Sequence, residues 1–568
     1  MNRRALLSGV VALTLVGATA ACSGGDGSGG SSNQPPAKAG VNDITVVARD
    51  QVKKGGQLVW PVSDIPATFN NLHLDGNLAD VADIMEAMMP QVFLTDAAGT
   101  PIWNKDYLVE EPKLETSPKQ KITYKLNDKA KWNDGTPITW ADFEAQWKAL
   151  NGKDKAFSIN SSTGYELVES VTRGASDSEV VVTYAENYAD WEDTFVPLYP
   201  KSTNSSAEVF NTGWNEKAGG PTAGPFKFGA IDKTAKTVTI ERDPAWWGNE
   251  AKLDKIIFKG IEDNATADAV DNGEADFFEI ASNVNSYNRA QQMLGKIDLK
   301  RAGAPNWRHI TINGSKPHLG DAKVRQALSM AINRETIAKA LLGPLGQEPK
   351  VLNNRIYMGN HANYKDNSGE IGKYNADKAK QLLDEAGWKV AGAGRAKDGV
   401  QLAIDFVIPG NVAQSKAEAE LISEMLKQVN VPVTIRTVPV GDLFDTYLTP
   451  GQFDMTVFSY IGDAFPVSDS AAIYVTPVKK ADGTLDTQSN FSRIGSPEND
   501  ELFKKAAAEL DDAKAADLAN QVDAKLWEMV QNIPMYQRPD LWGVKKGLAN
   551  FGAFAYADVV YEDIGWTS

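Results

Sequence analysis

The only thiol in this chain belongs to Cys22, and its four imidazoles belong to His73, His309, His318 and His361. Metal motifs on one element place two such ligands a few residues apart, and these histidines are spaced too widely for that. No Gly-x-Ser-x-Gly elbow, His-Glu-x-x-His pair or phosphate-binding glycine loop occurs, so acyl transfer, zinc hydrolysis and phosphoryl chemistry lack their usual carriers. The stretch GAGRAKDG at 392–399 joins an expected helix to an expected strand. That is the reverse of a dinucleotide fingerprint, and it reads as a turn. The chain is therefore read as a non-enzyme without metal or cofactor, a secreted hydrolase being the alternative from another class.

Cys22 follows the uncharged residues 5–21, which themselves follow Arg3 and Arg4. A basic start and a short apolar run make an export signal. The run is too short and too rich in Ala and Gly for a span, which takes about 20 strongly apolar residues. The arginine pair fits the twin-arginine route and the general route alike. Thr19-Ala20-Ala21-Cys22 resembles the lipobox of bacterial lipoproteins, with Thr19 in place of the usual leucine; the alternative is a plain cleavage site with an incidental cysteine. Residues 23–32 are almost all Gly and Ser, and Pro35-Pro36 follow, a composition that cannot bury enough apolar surface to fold. The resemblance implies removal of residues 1–21, lipid on Cys22 and a flexible tether over 22–53. A coil of 32 residues from Ser23 to Lys54 reaches about 30 Å. The expected location is the outer face of the cytoplasmic membrane, with firm attachment needing more than one acyl chain.

Formal net charge is −16, and −18 once Arg3 and Arg4 are gone. This disfavours nucleic acid and anionic lipid as partners and favours a cationic or amine-bearing ligand. With no second cysteine, stability outside the cytoplasm must come from the core rather than from disulfides. About 510 residues exceed what one core usually serves, so two or three lobes are expected.

Hydrophobic periodicity predicts strands at 57–62, 122–126, 179–184, 237–242, 255–259, 275–280, 308–313, 401–408 and 431–438. It predicts helices at 79–89, 140–150 with Thr139 as N-cap, 265–272, 323–341, 376–386, 415–429, 499–510 and 517–531. Interleaving of this kind means α/β lobes with mixed sheets.

The most specific stretch is YKLNDKAKWNDGTPITWADFEAQWKAL at 124–150: a strand, an Asn-Asp-Gly turn, a proline-set extended step and a capped helix. It resembles the signature of family 5 extracytoplasmic solute-binding proteins, the peptide- and nickel-binding receptors of ABC importers. Further blocks follow in that family's order: GGQLVWPVSDIPATFNNL, AGPFKF with IERDPAWWGNEAKLDKIIFKGIED, VDNGEADFF, INGSKPHLGDAKVRQALSMAINRETIAKALLGPLGQ and YNADKAKQLLDEAGW. One segment departs, MEAMMPQVFLTDAAG, where the family more often has aromatic-Glu-x-Leu. The resemblance implies a two-lobed periplasmic-binding-protein clamshell (type II, cluster C) with mixed sheets. Lobe I would comprise 54–94, 212–303 and 533–568, with an extra domain at 95–211; lobe II would comprise 304–532. The protein would act as a monomer, passing a peptide to the permease and ATPase subunits of an importer. Nickel chelates, haem, sugars or a signalling peptide are alternative ligands.

In FDMTVFSYIGDAFPVSD at 453–469, the resemblance implies Asp463 as anchor for a peptide α-ammonium, with Tyr460 and Phe465 lining the cleft. The other reading of Asp463 is a turn cap beside Gly462. Asp75 and Asn77, in NLHLDGNLADVADI, are the implied contribution of the first lobe, although an aspartate before glycine also serves a turn. Tyr536 and Gln537 lie just past the second crossover, and Trp307 and Trp214 near lobe boundaries, each with core packing as the alternative. Trp132, Trp140, Trp246, Trp247 and Trp388 fall in signature blocks and read as packing.

Overall fold

The computed structural model describes residues 42–215, 220–480, 483 and 485–567; the expected export signal, Cys22 and the first part of the expected tether lie outside them. In Gln57–Val62 the alternate residues Leu58, Trp60 and Val62 are buried, the pattern of a strand with one face on a core. It runs parallel to Lys255–Gly260, beyond which Thr237–Arg242 and Phe226–Asp232 complete an antiparallel ribbon. A second four-stranded sheet, of Lys113–Glu115, Lys121–Lys125, Glu179–Tyr184 and Val168–Arg173, is antiparallel throughout. One continuous core, including Leu58, Phe143, Val182 and Phe258, joins the two sheets into the first lobe. Helix Trp140–Leu150 starts where expected: the buried Asp142 carboxylate accepts from Thr139 N at 2.8 Å and from Lys201 N at 2.9 Å.

The second lobe is built on the greater part of a six-stranded mixed sheet that runs through both lobes, in the order Phe277–Glu279, Asn532–Lys545, Ile297–Ile312, Met455–Tyr460, Ile404–Pro409, Val433–Val438, the first of these strands packing in the first lobe's core. Its core holds Ile310, Phe406, Val457 and Ile533. Two members are long. Ile297–Ile312 and Asn532–Lys545 pair antiparallel along most of their length, with one end of the pair in each lobe, and their register shifts between Gly303 and Trp307. These crossover strands are the covalent link on which any hinge motion must act.

Three expectations change. The helix expected at 323–341 is two helices, Ala322–Ala331 and Arg334–Leu342, because the Asn333 side chain accepts from Thr336 N and starts a new one. The strand expected at 308–313 is the end of the 16-residue crossover strand. Residues 43–53, expected in the tether, pack on the first lobe: Asp43–Ile44 pairs with Gly552–Ala553, Val52 is buried, and Lys53 N donates to Trp566 O. Partners from the far end of the chain supply the apolar surface that this segment lacks by itself.

Candidate functional site

The site begins at the end of a buried strand. Met455–Tyr460 is apolar and covered on both faces, so its last residues emerge where the sheet stops, and the next helix, Pro466–Tyr474, opens on a proline at its first turn. The chain between, 461–465, is held by Asp463, whose Oδ1 accepts from Phe465 N at 2.7 Å. Asp463 is thus a turn cap, and its second oxygen makes no hydrogen bond within the described protein. Behind this loop Trp307 lies 5.6 Å from the Tyr460 ring, and His309 stacks on Tyr460 at 4.4 Å. Tyr460 Oη donates to Ser489 O at 2.9 Å, leaving its ring as wall.

The first lobe meets this loop directly. Ser468 donates to the Asp190 carboxylate through both Oγ and N, and Ala189 N donates to Ala507 O at 2.7 Å. A Cβ on Gly99 would lie 3.8 Å from Ala464 Cα and 3.5 Å from the Tyr556 ring. Asp190 and Asp193, on the short turn of helix Trp191–Asp193, therefore face Asp463 and Asp469 across the junction. Asp193 and Asp463 have exposed side chains although protein surrounds them, which is the signature of a cleft wall. Burial raises all four carboxyls above their ordinary range. Neighbouring charge adds to it: Asp190 acts on Asp463, Asp463 on Asp469, and all three on Asp193. Among the described residues no cation pairs with any of them, and they do not form a group able to hold a metal ion.

A larger cavity, about 990 Å³, also adjoins the crossover strands, between residues 281–285 and helix Ala413–Lys427. Its lining includes Asp263, Asn283, Gln414, Glu420 and the Arg538 guanidinium. Gln414 is fixed from behind: its Nε2 donates to Tyr536 Oη at 2.7 Å, Tyr536 Oη donates to Glu418 at 2.5 Å, and the buried Arg308 pairs with Glu418 and donates to Ser415 Oγ at 3.1 Å.

The structure brings together Asp463, Tyr460, Phe465 and Trp307. It buries Tyr536 completely, in a supporting position behind Gln414. Gln537 sits on the crossover strand, its Nε2 donating to Ala304 O and to Asn360 Oδ1, both at 2.7 Å. Trp214 packs in the first lobe's core, 5.3 Å from Tyr199, so it faces no ligand. Asp75 and Asn77 are exposed, beside the segment that offers Ser158 O to Leu74 N, and make no hydrogen bond or ion pair to the Asp463 loop. Asp190, Asp193, Asp469 and Arg538 were not singled out by sequence; only the charge excess hinted at such a cluster.

Residues 106–482 match the family model of bacterial extracellular solute-binding proteins, family 5. The chain is 38% identical over 531 residues to the oligopeptide-binding protein OppA of Mycobacterium tuberculosis, covering 93% of this chain and 87% of that one. Its fold is similar to that of a periplasmic EDTA-binding protein, EppA (TM-score 0.84, 24% identity, covering 93% of this chain and 99% of that one). It is also similar to the oligopeptide-binding protein AppA of Bacillus subtilis, solved with a nonapeptide (TM-score 0.74, 21% identity, 91% and 99% covered). Two lobes on mixed sheets, joined by paired crossover strands around a cleft, fit these neighbours in architecture. This chain belongs to the bacterial extracellular solute-binding proteins of family 5.

Proposed function

We propose that the protein is the receptor of an ABC importer, capturing oligopeptides between its lobes by their free amino terminus and delivering them to the permease. The observation that carries this reading is Asp463: a carboxylate with one oxygen unspent, at a lobe junction walled by Trp307 and Tyr460, among three further carboxylates that pair with no cationic side chain among the described residues. A charge-assisted bond to an ammonium in a closing cleft is strong, and aromatic walls tolerate varied side chains. A polyanionic metal chelate, by contrast, would meet like charge at the junction.

The test is calorimetric titration of ligand-stripped protein with di- to hexapeptides and their N-acetylated counterparts. Free-amine peptides should bind and acetylation should abolish binding; peptides that bind equally well when acetylated would overturn the amine anchor.

Attachment through lipid on Cys22 is part of the same proposal. Intact-mass measurement of membrane-extracted protein should show Cys22 as an acylated first residue, and an unmodified amino terminus at or beyond Cys22 rules the anchor out.

The junction also sets an expected pH response. From the first lobe come Asp190, Glu192 and Asp193; from the second come Asp463, Asp469 and Asp512; the phenols of Tyr188, Tyr357 and Tyr556 lie among them. Asp190, Glu192, Asp193, Asp463 and Asp469, raised in the closed form, hold protons that the open form releases, so closure without ligand is favoured as pH falls and is fully favoured below the ordinary value near 4. Small-angle scattering of the empty protein should give a smaller radius of gyration near about pH 5 than near about pH 8. An unchanged radius would show that these carboxyls do not oppose closure.

A further inference from the structure

The amine anchor accounts for one positive charge, but the junction presents four carboxylates. Asp463 and Asp469 come from one lobe, three residues before and on the first turn of helix Pro466–Tyr474. Their closeness is geometric: a Cβ on Gly462 would stand 3.4 Å from Asp469 Oδ2, so that carboxylate lies over the backbone next to Asp463. Asp190 comes from the other lobe, docked on the same helix turn by Ser468, and Asp193 ends the short helical turn that Asp190 starts. The guanidinium that shares a wall with Asp463 and Asp469, that of Arg355, is committed to Asp523 and Asn532. A second, independent feature points to a missing group. Tyr188 is 2% exposed, and its buried hydroxyl lies beside Asp190 and Ser468 and closes no hydrogen bond of normal geometry. Its lone pairs are available to an N–H donor.

We propose that the site selects peptides whose first residue is basic, with the α-ammonium on Asp463 and the side-chain cation received by Asp469 and Asp193. This rests on the peptide-receptor reading above. The side chain of a peptide's first residue branches from the carbon that bears the α-amine, so it necessarily explores the surroundings of Asp463. A neutral side chain there leaves like charges facing one another in a drying cleft, whereas a lysine or arginine side chain offsets them. Asp190 is already occupied by two bonds from Ser468, which leaves Asp193 and Asp469 as the residues that determine the preference. The chemical class of ligand is therefore an N-terminally dicationic peptide rather than any free-amine peptide.

The experiment uses full-length, ligand-stripped protein and three pentapeptides of otherwise identical sequence: lysine first, norleucine first, and norleucine first with lysine moved to the third position. The lysine-first peptide should bind roughly tenfold tighter or more than the norleucine-first peptide, and lysine at the third position should not restore the difference. In Asp193→Asn and in Asp469→Asn the ratio between the first two peptides should collapse toward one, whatever the absolute affinities. Equal binding of all three peptides by the wild type overturns the inference and leaves the amine-anchored receptor standing. A preference that survives both substitutions overturns the assignment to Asp193 and Asp469. If none of the peptides binds, the receptor reading falls and this inference with it. The comparison among wild-type titrations needs no variant to fold.

Discussion

Replacing Asp463 by alanine is expected to weaken binding of a free-amine peptide by about 2–5 kcal/mol, the usual cost of removing one partner from a buried hydrogen-bonded charge pair. That is about thirtyfold to several-thousandfold in Kd, read by calorimetry against the N-acetylated peptide as the matched loss on the ligand side. Two roles of the side chain must be separated, because Asp463 Oδ1 also caps the turn at Phe465 N. Asparagine keeps an acceptor in that position and loses only the charge. If the charge is what binds, Asp463→Asn loses affinity nearly as Asp463→Ala does. If Asp463→Asn binds like the wild type and Asp463→Ala does not, the residue acts by shaping the loop, and the ammonium must be held elsewhere. A second consequence has the opposite sign. Removing one of several facing carboxylates relieves repulsion, so the empty variant should close more readily while its affinity falls.

The local pattern of an apolar strand, a glycine, an aspartate and a proline that starts a helix placed Asp463 on a loop, and the family resemblance of its aromatic-x-x-Asp stretch singled it out. Asp193 was not legible. It lies on a three-residue helical turn, Trp191–Asp193, far from Asp463 along the chain, and no spacing rule relates a residue to a partner that only the meeting of two lobes supplies. Arg538 was hidden for a related reason. In the crossover strand Asn532–Lys545 it is one of several polar residues, beside Gln537 and Asp540, and which side of the strand opens on a cavity depends on the neighbouring helix Ala413–Lys427. Trp214 shows the converse: nearness to a lobe boundary in sequence says nothing about direction, and its ring turned inward to Tyr199. Helix positions were readable from periodicity, but the break at Asn333 was not, since the apolar spacing runs through it while the side chain starts a new helix. The crossover strands were read short because Asp298, Lys300 and Arg301 interrupt the apolar pattern at the edge between lobes.

The largest stability effect is expected at a different carboxylate. Asp523→Ala should destabilise the protein by about 3–5 kcal/mol, the range for a buried ion pair broken on one side. Both Arg355 and Asp523 side chains are 0% exposed, with Nη1 3.2 Å from Oδ1. Burial pushes the Asp523 carboxyl up and the Arg355 guanidinium down, so desolvation outweighs attraction and the pair persists through its hydrogen bonds. Asp523 also accepts from Arg355 N at 3.1 Å and from Asn367 Nδ2 at 3.0 Å. Arg355 donates to Asn532 Oδ1 and O and lies 4.2 Å over Trp527. This network ties the segment 353–367 to helix Asp512–Met529 and to the start of the second crossover strand. Alanine at 523 leaves a buried cation with neutral acceptors only. Denaturant midpoints should fall accordingly, and an Arg355→Met, Asp523→Leu pair should recover much of the loss, because it removes the stranded charge. Ile356 and Met358 of the same segment face the small cavity beside Asp463. Peptide affinity measured where Asp523→Ala is still folded therefore separates two cases: unchanged affinity makes the pair a scaffold for the second lobe, and a parallel loss means that this segment must be held rigid for the cleft to close on its ligand.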